Sequence, residues 1–192
     1  MDPEASNPGR EPSEAREGRP PSGKRRAKGS KKRARDAVAT PALVALHAAG
    51  VPYSVHRYDH DPRAESYGRE AVEALGLDPG AVFKTLVAEV DGAPTLAVVP
   101  VDRQLDLRAL AAAAGGKRAA MSDQSDAERV TGYVVGGISP VGTKRRLQVF
   151  VDASAMELSA MNVSAGQRGL EVEIAPEDLL AVTNGRVAPI AT

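Results

Sequence analysis

The 192-residue chain contains no cysteine and few aromatic residues. The missing cysteine excludes disulfides, cysteine-ligated zinc and a cysteine nucleophile. Aromatic residues make up only 3% of the chain, so a packed core has to consist mainly of Val, Leu, Ile and Ala. No run of residues is long and apolar enough to span a membrane, and the N-terminus lacks the apolar core of a signal peptide. These absences predict a cytoplasmic protein. The length of the chain allows one ordinary domain and an appendage.

The net charge of zero hides a division of the chain into two parts. Residues 1–36 contain 11 Lys/Arg and 6 Asp/Glu, whereas residues 37–192 contain 14 Lys/Arg and 19 Asp/Glu. Residues 1–36 also contain no Val, Ile, Leu, Phe, Tyr or Trp, so they predict a disordered basic tail. Eight of the twelve residues from 24 to 35 are basic, and we expect this run either to contact RNA phosphates or to act only as a solubilising tail.

Residues 37–192 predict one α+β domain. Short helical patterns, such as the one that follows Thr40-Pro41, are mixed with alternating or apolar strand patterns, such as residues 53–58 and 82–90. These elements do not alternate as regular βαβ units. We therefore expect a mixed, mainly antiparallel, barrel-like sheet surrounded by helices.

The sequence around the glycine pair Gly136-Gly137 predicts a loop that exposes its backbone. A β-branched pair, Val134-Val135, precedes the glycines, and Ser139-Pro140 follows them. Glycine allows another group to approach the main chain closely, and proline favours an extended residue before it. The pattern indicates a strand that ends in a loop, which either binds a small polar ligand or is only a tight connection.

Lys84 lies inside an otherwise apolar strand pattern, residues 82–87. An ammonium group is costly to bury without a partner. The side chain therefore either reaches solvent at the end of a strand or lines a polar cavity.

The three histidines, His47, His56 and His60, have no spacing typical of metal ligands. The sequence also lacks a G-x-S-x-G nucleophile motif. We therefore expect no metal site and no cofactor, while a histidine base formed by residues distant in sequence stays open.

Four blocks of sequence carry a more specific signal because they occur together and in order. They are residues 58–62 with Tyr67-Gly68 and Glu70 after them, then residues 83–86, 131–140 and 163–170. Over about residues 40–190 they resemble the bacterial YbaK/EbsC family of free-standing aminoacyl-tRNA editing domains, in particular its Cys-tRNA(Pro) deacylase type. Two positions depart from the common family pattern, since Tyr67 stands where phenylalanine is common and Ala165 where glycine is common.

The resemblance implies one pocket and assigns residues to it. Lys84 and the backbone N–H groups of Gly136 and Gly137 would be catalytic. The substrate-binding positions would be Tyr58, Tyr67, Thr85, Ile138, Ser139, Pro140 and Ser164.

The resemblance also implies an activity, which is removal of cysteine from mischarged Cys-tRNA(Pro). The thiol of the substrate would attack its own ester, so the protein would supply no nucleophile. The alternatives are an Ala-tRNA(Pro) deacylase that activates water, or a non-catalytic module that binds tRNA or a synthetase. The implied partners are the aminoacylated 3′ end of tRNA and prolyl-tRNA synthetase.

Overall fold

The structure is a computed structural model, and it describes residues 39–64 and 66–192. The predicted disordered basic tail, residues 1–36, lies outside the described residues. That prediction and the domain boundary after residue 36 therefore stay predictions. None of the helices in the described residues has the length and apolar composition needed to cross a membrane.

Five α-helices of seven to nine residues occur in the described part of the chain. They are α1 (Pro41–Ala49), α2 (Tyr67–Leu75), α3 (Leu107–Ala113), α4 (Gln124–Thr131) and α5 (Pro176–Thr183). The first begins as the sequence predicts, because the Thr40 hydroxyl accepts the N–H of Leu43 at 3.2 Å and Pro41 occupies the first turn. Short 3-10 helices occur at Pro79–Ala81 and Ala153–Glu157.

Eight strands form one mixed sheet. They are β1 (Tyr53–Arg57), β2 (Val82–Val90), β3 (Ala93–Pro100), β4 (Ala119–Met121), β5 (Gln148–Asp152), β6 (Met161–Gln167), β7 (Leu170–Ile174) and β8 (Arg186–Ala188). Their order is β1-β7-β6-β2-β3-β5-β8, with β4 paired to β2. The β2–β6, β3–β5 and β5–β8 pairs are parallel and the other four are antiparallel. The predicted α+β class is confirmed, and the sheet curls into a half-barrel.

Both faces of the central strands are buried, and this explains their continuous apolar sequence. In β3, Leu96 and Val98 belong to one apolar cluster, whereas Ala97 and Val99 belong to a second cluster. Alternate residues of a strand point to opposite faces, so the two clusters lie on opposite sides of the sheet. Aliphatic residues dominate both clusters, as the low aromatic content predicts.

The predicted strand before the glycine pair is wrong. Helix α4 extends to Thr131, Gly132 ends it with a φ of +77°, and residues 133–147 contain no strand. The N–H of Val135 donates to the Glu128 carboxylate at 3.0 Å instead of to a neighbouring strand. A side chain on the preceding helix has thus replaced the strand partner that the β-branched pair indicates.

A buried carboxylate, Asp152, joins the end of β5 to the C-terminal segment. It is 3% exposed, and it accepts the N–H groups of Ile190 at 2.9 Å and Ala191 at 2.8 Å. It also accepts the hydroxyl of Ser154 at 2.6 Å and the N–H of Ser154 at 3.1 Å. Burial raises the pKa of Asp152, but these hydrogen bonds outweigh it and hold the pKa below its ordinary value.

We expect Asp152→Asn to lower the free energy of unfolding by about 3 kcal/mol at pH 7, because it removes a charged acceptor from buried N–H groups. The depressed pKa stabilises the fold above the unfolded pKa of about 3.9, and this stability is lost as the pH falls through the folded pKa. Urea unfolding at pH 7 and below pH 4 measures both effects. Ser154→Ala is the control, since it removes one hydroxyl donor and should cost about 1 kcal/mol. Equal losses in the two variants would contradict the assigned role of Asp152.

Candidate active site

A cavity of about 470 Å³ opens between β2, α2, the start of α4 and the loop at residues 135–138. Six of the ten predicted site residues line it: Tyr67, Lys84, Thr85, Gly136, Ile138 and Ser164. Four do not line it: Tyr58, Gly137, Ser139 and Pro140. Ser139 is 1% exposed, and its hydroxyl accepts the N–H of Val141 at 3.2 Å, so its side chain stabilises the loop.

Lys84 lines the cavity and is also held by the turn that follows β3. Its ammonium donates to the carbonyl oxygens of Arg103 at 2.6 Å and Val101 at 3.3 Å. Partial burial lowers its pKa, and the charge of Asp102 offsets part of that effect. A lysine ammonium has three donors. Two of them are engaged, so one N–H stays available to a ligand.

Two hydroxyl groups of the cavity have no hydrogen-bond partner among the described residues. They are the buried side-chain oxygens of Thr85 and Ser164. Buried polar groups are nearly always hydrogen-bonded, because leaving one unpaired costs about 1–3 kcal/mol. An unpaired pair of hydroxyls in a cavity is therefore typical of a site that binds a polar ligand.

Glu171 is a further acidic group of the cavity that the sequence analysis missed. It lies on β7 opposite Ser164 of β6, it is 7% exposed, and burial raises its pKa to about 8. In the sequence it alternates with the apolar residues of β7, and this pattern is typical of a solvent-facing glutamate. Its neighbour Glu173 fits that pattern and pairs with His56 at 3.2 Å. The burial of Glu171 comes from parts of the chain distant in sequence, so no local signal indicated it.

Tyr58 is not among the residues that line the cavity. Burial raises its pKa to about 12, with smaller contributions from the charges of Glu171 and Glu70. Its backbone N–H donates to the carbonyl of Gly169 at 3.0 Å. Tyr58 therefore lies near enough to Glu171 for its charge to act on the Tyr58 hydroxyl, but it does not line the cavity.

Both backbone polar groups of Val135 are held by side chains. Glu128 accepts the N–H of Val135, and Arg168 donates to the carbonyl of Val135 from Nε at 2.9 Å and Nη2 at 2.8 Å. The carbonyl of Val135 and the N–H of Gly136 belong to one trans peptide, so they point in opposite directions. Arg168 thereby turns the Gly136 N–H away from itself, and this N–H has no acceptor in the described part of the chain. Sequence reasoning missed this role of Arg168.

The two glycines of the loop are needed for close approach. Gly136 has a φ of +88°, and a Cβ there would lie 2.7 Å from the Tyr67 ring. A Cβ on Gly137 would lie 3.0 Å from the backbone of Gln167 and Arg168. The N–H of Gly137 donates to the carbonyl of Val134 at 2.9 Å, so it is not free to stabilise an oxyanion. Of the predicted donor pair, only the N–H of Gly136 is without an acceptor among the described residues, and its role as a donor stays a prediction.

The histidines lie outside the cavity. His56 pairs with Glu173, and the Nδ1 of His60 pairs with Glu70 at 2.8 Å. His47 is exposed on α1. The question left open by the sequence is thus answered for the described residues, since no histidine lines the cavity.

Comparison with known protein families identifies the family to which this chain belongs. The profile described as "Aminoacyl-tRNA editing domain" matches residues 61–182, which include all the residues that line the cavity. The chain belongs to the aminoacyl-tRNA editing domain family. The predicted family is therefore confirmed, and with it the aminoacyl-tRNA deacylase class of activity.

Individual relatives agree with this assignment. EbsC of Enterococcus faecalis, described as a candidate Cys-tRNA(Pro)/Cys-tRNA(Cys) deacylase, is 41% identical over 144 residues, which are 74% of this chain and 87% of EbsC. The multifunctional Ser/Thr-tRNA deacylase ProXp-y of Escherichia coli K12 is 31% identical over 62% of this chain and 75% of its own length. A crystal structure described as a candidate trans-editing enzyme for prolyl tRNA synthetase shares the fold, with a TM-score of 0.71 and 24% identity over 81% of this chain and 99% of that chain.

We expect the stability of the protein to depend on the titration of Glu171. The unfolded side chain ionises near pH 4.3, whereas the folded one keeps its proton until about pH 8, so wild type loses stability as the pH rises between these values. Glu171→Gln does not titrate. The stability of this variant relative to wild type should therefore rise between about pH 4.5 and 8 and then stay constant.

Urea unfolding at pH 5, 6.5 and 8 measures this difference. Glu173→Gln, two residues along the same strand, is the control, because it makes the same chemical change at a side chain that is 41% exposed. Parallel pH profiles for wild type and Glu171→Gln would rule out the buried, protonated glutamate.

Proposed function

We propose that this protein removes cysteine from mischarged Cys-tRNA(Pro) by substrate-assisted cleavage of the aminoacyl ester. The observation that carries the proposal is a cavity with free polar donors and acceptors but no cysteine nucleophile and no histidine base. Thr85, Ser164, Lys84 and Glu171 supply the polar groups, while the chain has no cysteine and no histidine lines the cavity. The identity to EbsC over most of both chains supports cysteine as the amino acid.

The α-ammonium of the substrate would contact the Glu171 carboxyl group and the Ser164 hydroxyl, which lie side by side in the cavity. These residues are directly paired on neighbouring strands, and the Ser164 hydroxyl is unpartnered among the described residues. An approaching ammonium favours the ionised form of a carboxyl group, so binding would lower the raised pKa of Glu171 and form a buried ion pair. This contact would hold the amino acid in one orientation.

The ester would lie between Lys84 and the loop. The Gly136 N–H is fixed by Arg168 and is suited to an oxyanion, because a preorganised donor costs no reorganisation during the reaction. The remaining N–H of Lys84 would bind the ribose or the terminal phosphate. Thr85 would hold the ribose through its unpartnered hydroxyl.

The reaction needs only the substrate's own atoms. The sulfur of cysteine attacks its ester carbonyl carbon, and the bond from that carbon to the ribose oxygen breaks. The thiol proton ends on the ribose oxygen, so the products are a cyclic thioester and tRNA with a free hydroxyl. A thiol of pKa about 8.5 is partly ionised at neutral pH, and its fixed proximity makes the step intramolecular.

One observation favours a second mechanism for substrates that lack a thiol. Glu171 has a pKa raised to about 8, which is suited to a general base that activates water. This mechanism would serve alanine or serine, and a relative named as a Ser/Thr-tRNA deacylase shares the domain. Selection of tRNA by prolyl-tRNA synthetase and a cytoplasmic location stay predictions.

The deciding experiment measures amino acid release from Cys-tRNA(Pro), Ala-tRNA(Pro) and Ser-tRNA(Pro). Fast release of cysteine alone is the expected result, because a serine hydroxyl is a far poorer nucleophile than a thiol near neutral pH. Comparable release of alanine or serine would replace the thiol mechanism with water activation. Binding of all three without release would indicate a non-catalytic module.

We expect Lys84→Ala to lower kcat by about a hundredfold or more, since it removes a charged donor from the ester region. Lys84→Met is the matched variant, because it keeps an apolar stem and removes only the charge. Both variants should lose activity while their melting temperatures stay near that of wild type. If Lys84→Ala and Gly136→Ala both leave deacylation intact, the cavity is not the active site.

Arg168 is a positioning residue, and we expect Arg168→Lys to lower kcat about tenfold with little change in KM. Lysine cannot donate twice to the Val135 carbonyl or present a planar group to Tyr67, whose ring centre lies 4.8 Å from the guanidinium carbon. A loss confined to kcat indicates an interaction used only in the transition state. Arg129→Lys, on the exposed side of α4, is the control. A rise in KM at unchanged kcat would instead assign Arg168 to substrate binding.

A further inference from the structure

The positive charges of the described domain are concentrated in one region. Residues 37–192 are acidic overall, with 14 Lys/Arg against 19 Asp/Glu. Two sequence segments, residues 107–122 and 129–151, nevertheless contain no acidic residue. Eight of the 14 cations come from these segments and from β8. Six of these eight are Lys117, Arg118, Lys144, Arg145, Arg146 and Arg186.

The fold brings these positions together around two adjoining depressions. One, of about 450 Å³, is lined by Arg145 and Arg146 on one side and by Gly115 and Gly116, which directly precede Lys117, on the other. The second, of about 290 Å³, is lined by Arg146 and Arg186. Arg146 lines both. We call the six cations with these depressions the basic hollow.

The cations of the basic hollow are free to bind a ligand. All six are exposed, and none forms an ion pair with another described residue. Asp91 is the one acidic residue that lines either depression in the described chain, and it already accepts the backbone N–H groups of Lys117 at 2.8 Å and Arg118 at 3.0 Å. Among the lining residues, one engaged negative charge stands against three positive charges, those of Arg145, Arg146 and Arg186, so the hollow carries a net positive potential in an acidic domain.

The basic hollow adjoins the active-site cavity through β4. Arg118 immediately precedes this strand, and Met121 at its other end lines the cavity. Three residue steps of about 3.3 Å place the two Cα atoms about 10 Å apart. A nucleic acid whose 3′ end occupies the cavity therefore has preceding phosphates within reach of the hollow.

We propose that the basic hollow binds the phosphate backbone of tRNA while the aminoacylated 3′ end occupies the active-site cavity. This inference rests on the proposed function. Arginine and lysine contacts to phosphates position a nucleic acid without reading its sequence. The hollow thus raises the affinity for tRNA in general and leaves selection of the amino acid to the cavity.

The test compares two double variants of the full chain, Lys117→Ala with Arg118→Ala and Arg145→Ala with Arg146→Ala. The control is Arg57→Ala with Arg108→Ala, which removes the same charge from exposed positions outside the hollow. Binding of uncharged tRNA is measured at several salt concentrations. Each lost phosphate contact should reduce the slope of log K against log salt by about 0.7–0.9, and each hollow variant should bind about tenfold or more weakly at low salt.

Deacylation by the same variants gives a second readout. The hollow variants should show a raised KM with nearly unchanged kcat, and their melting temperatures should match that of the control. Equal binding losses in the hollow and control variants, or no loss in any, would overturn the proposal. Loss of binding to prolyl-tRNA synthetase with unchanged tRNA binding would also overturn it, because the hollow would then contact a protein.

Binding of uncharged tRNA does not depend on catalysis, so the two proposals can fail separately. A wild-type chain that binds tRNA through the hollow but releases no amino acid contradicts the proposed function and supports this inference. A chain that releases cysteine equally well with and without the hollow cations supports the function and contradicts this inference.

Discussion

The parallel pairing of β2 with β6 is the contact on which the active site depends. Val82 pairs with Asn162 and Phe83 with Val163, and these positions are 80 residues apart. The pairing places Lys84 and Thr85 of β2 beside Ser164 of β6, and the β6–β7 hairpin then adds Glu171. Antiparallel hairpins alone would leave these groups on separate parts of the sheet. A parallel pair requires a long crossover connection, and here the chain between the two strands also supplies the loop that completes the cavity.

The loop at residues 135–138 is positioned by two sets of hydrogen bonds and one packing contact. Glu128 holds the N–H of Val135, Arg168 holds its carbonyl, and the ring of Tyr67 packs against Gly136 where a side chain would not fit. The peptides on either side of Val135 each have one polar group held in this way, so neither can rotate without breaking a charge-assisted hydrogen bond. The orientation of the Gly136 N–H is therefore set before a substrate arrives. The hydroxyl that Tyr67 adds to the usual phenylalanine leaves this ring contact intact.

Local sequence was sufficient to predict most of the helices and strands and part of the candidate site. The Thr40-Pro41 start of α1 and the apolar strands β2 and β3 follow from capping and periodicity, which depend on neighbouring residues. The strand at Val134-Val135 was wrong, because β propensity depends on whether a partner strand is present. Glu171 was missed for a related reason, since alternation predicts which face a residue takes but not what covers that face. Lys84 stood out only because its charge conflicts with an apolar strand.

Residues that conflict with the usual rules of burial and charge pairing occur at two surfaces of this molecule, the active-site cavity and the basic hollow. Replacing Thr85, Ser164 or Glu171 with an apolar residue would remove an unpaired or desolvated polar group, so stability alone does not explain them. Stability does not explain the six exposed cations of the basic hollow either, because they have no ionic partners in the described chain. Natural sequences depart from local consistency mainly where function requires it. Strand β4 connects the two surfaces, because Arg118 directly precedes it and Met121 at its other end lines the cavity. The proposed ligand, an aminoacylated tRNA, would account for both surfaces with its ammonium group and its row of phosphates.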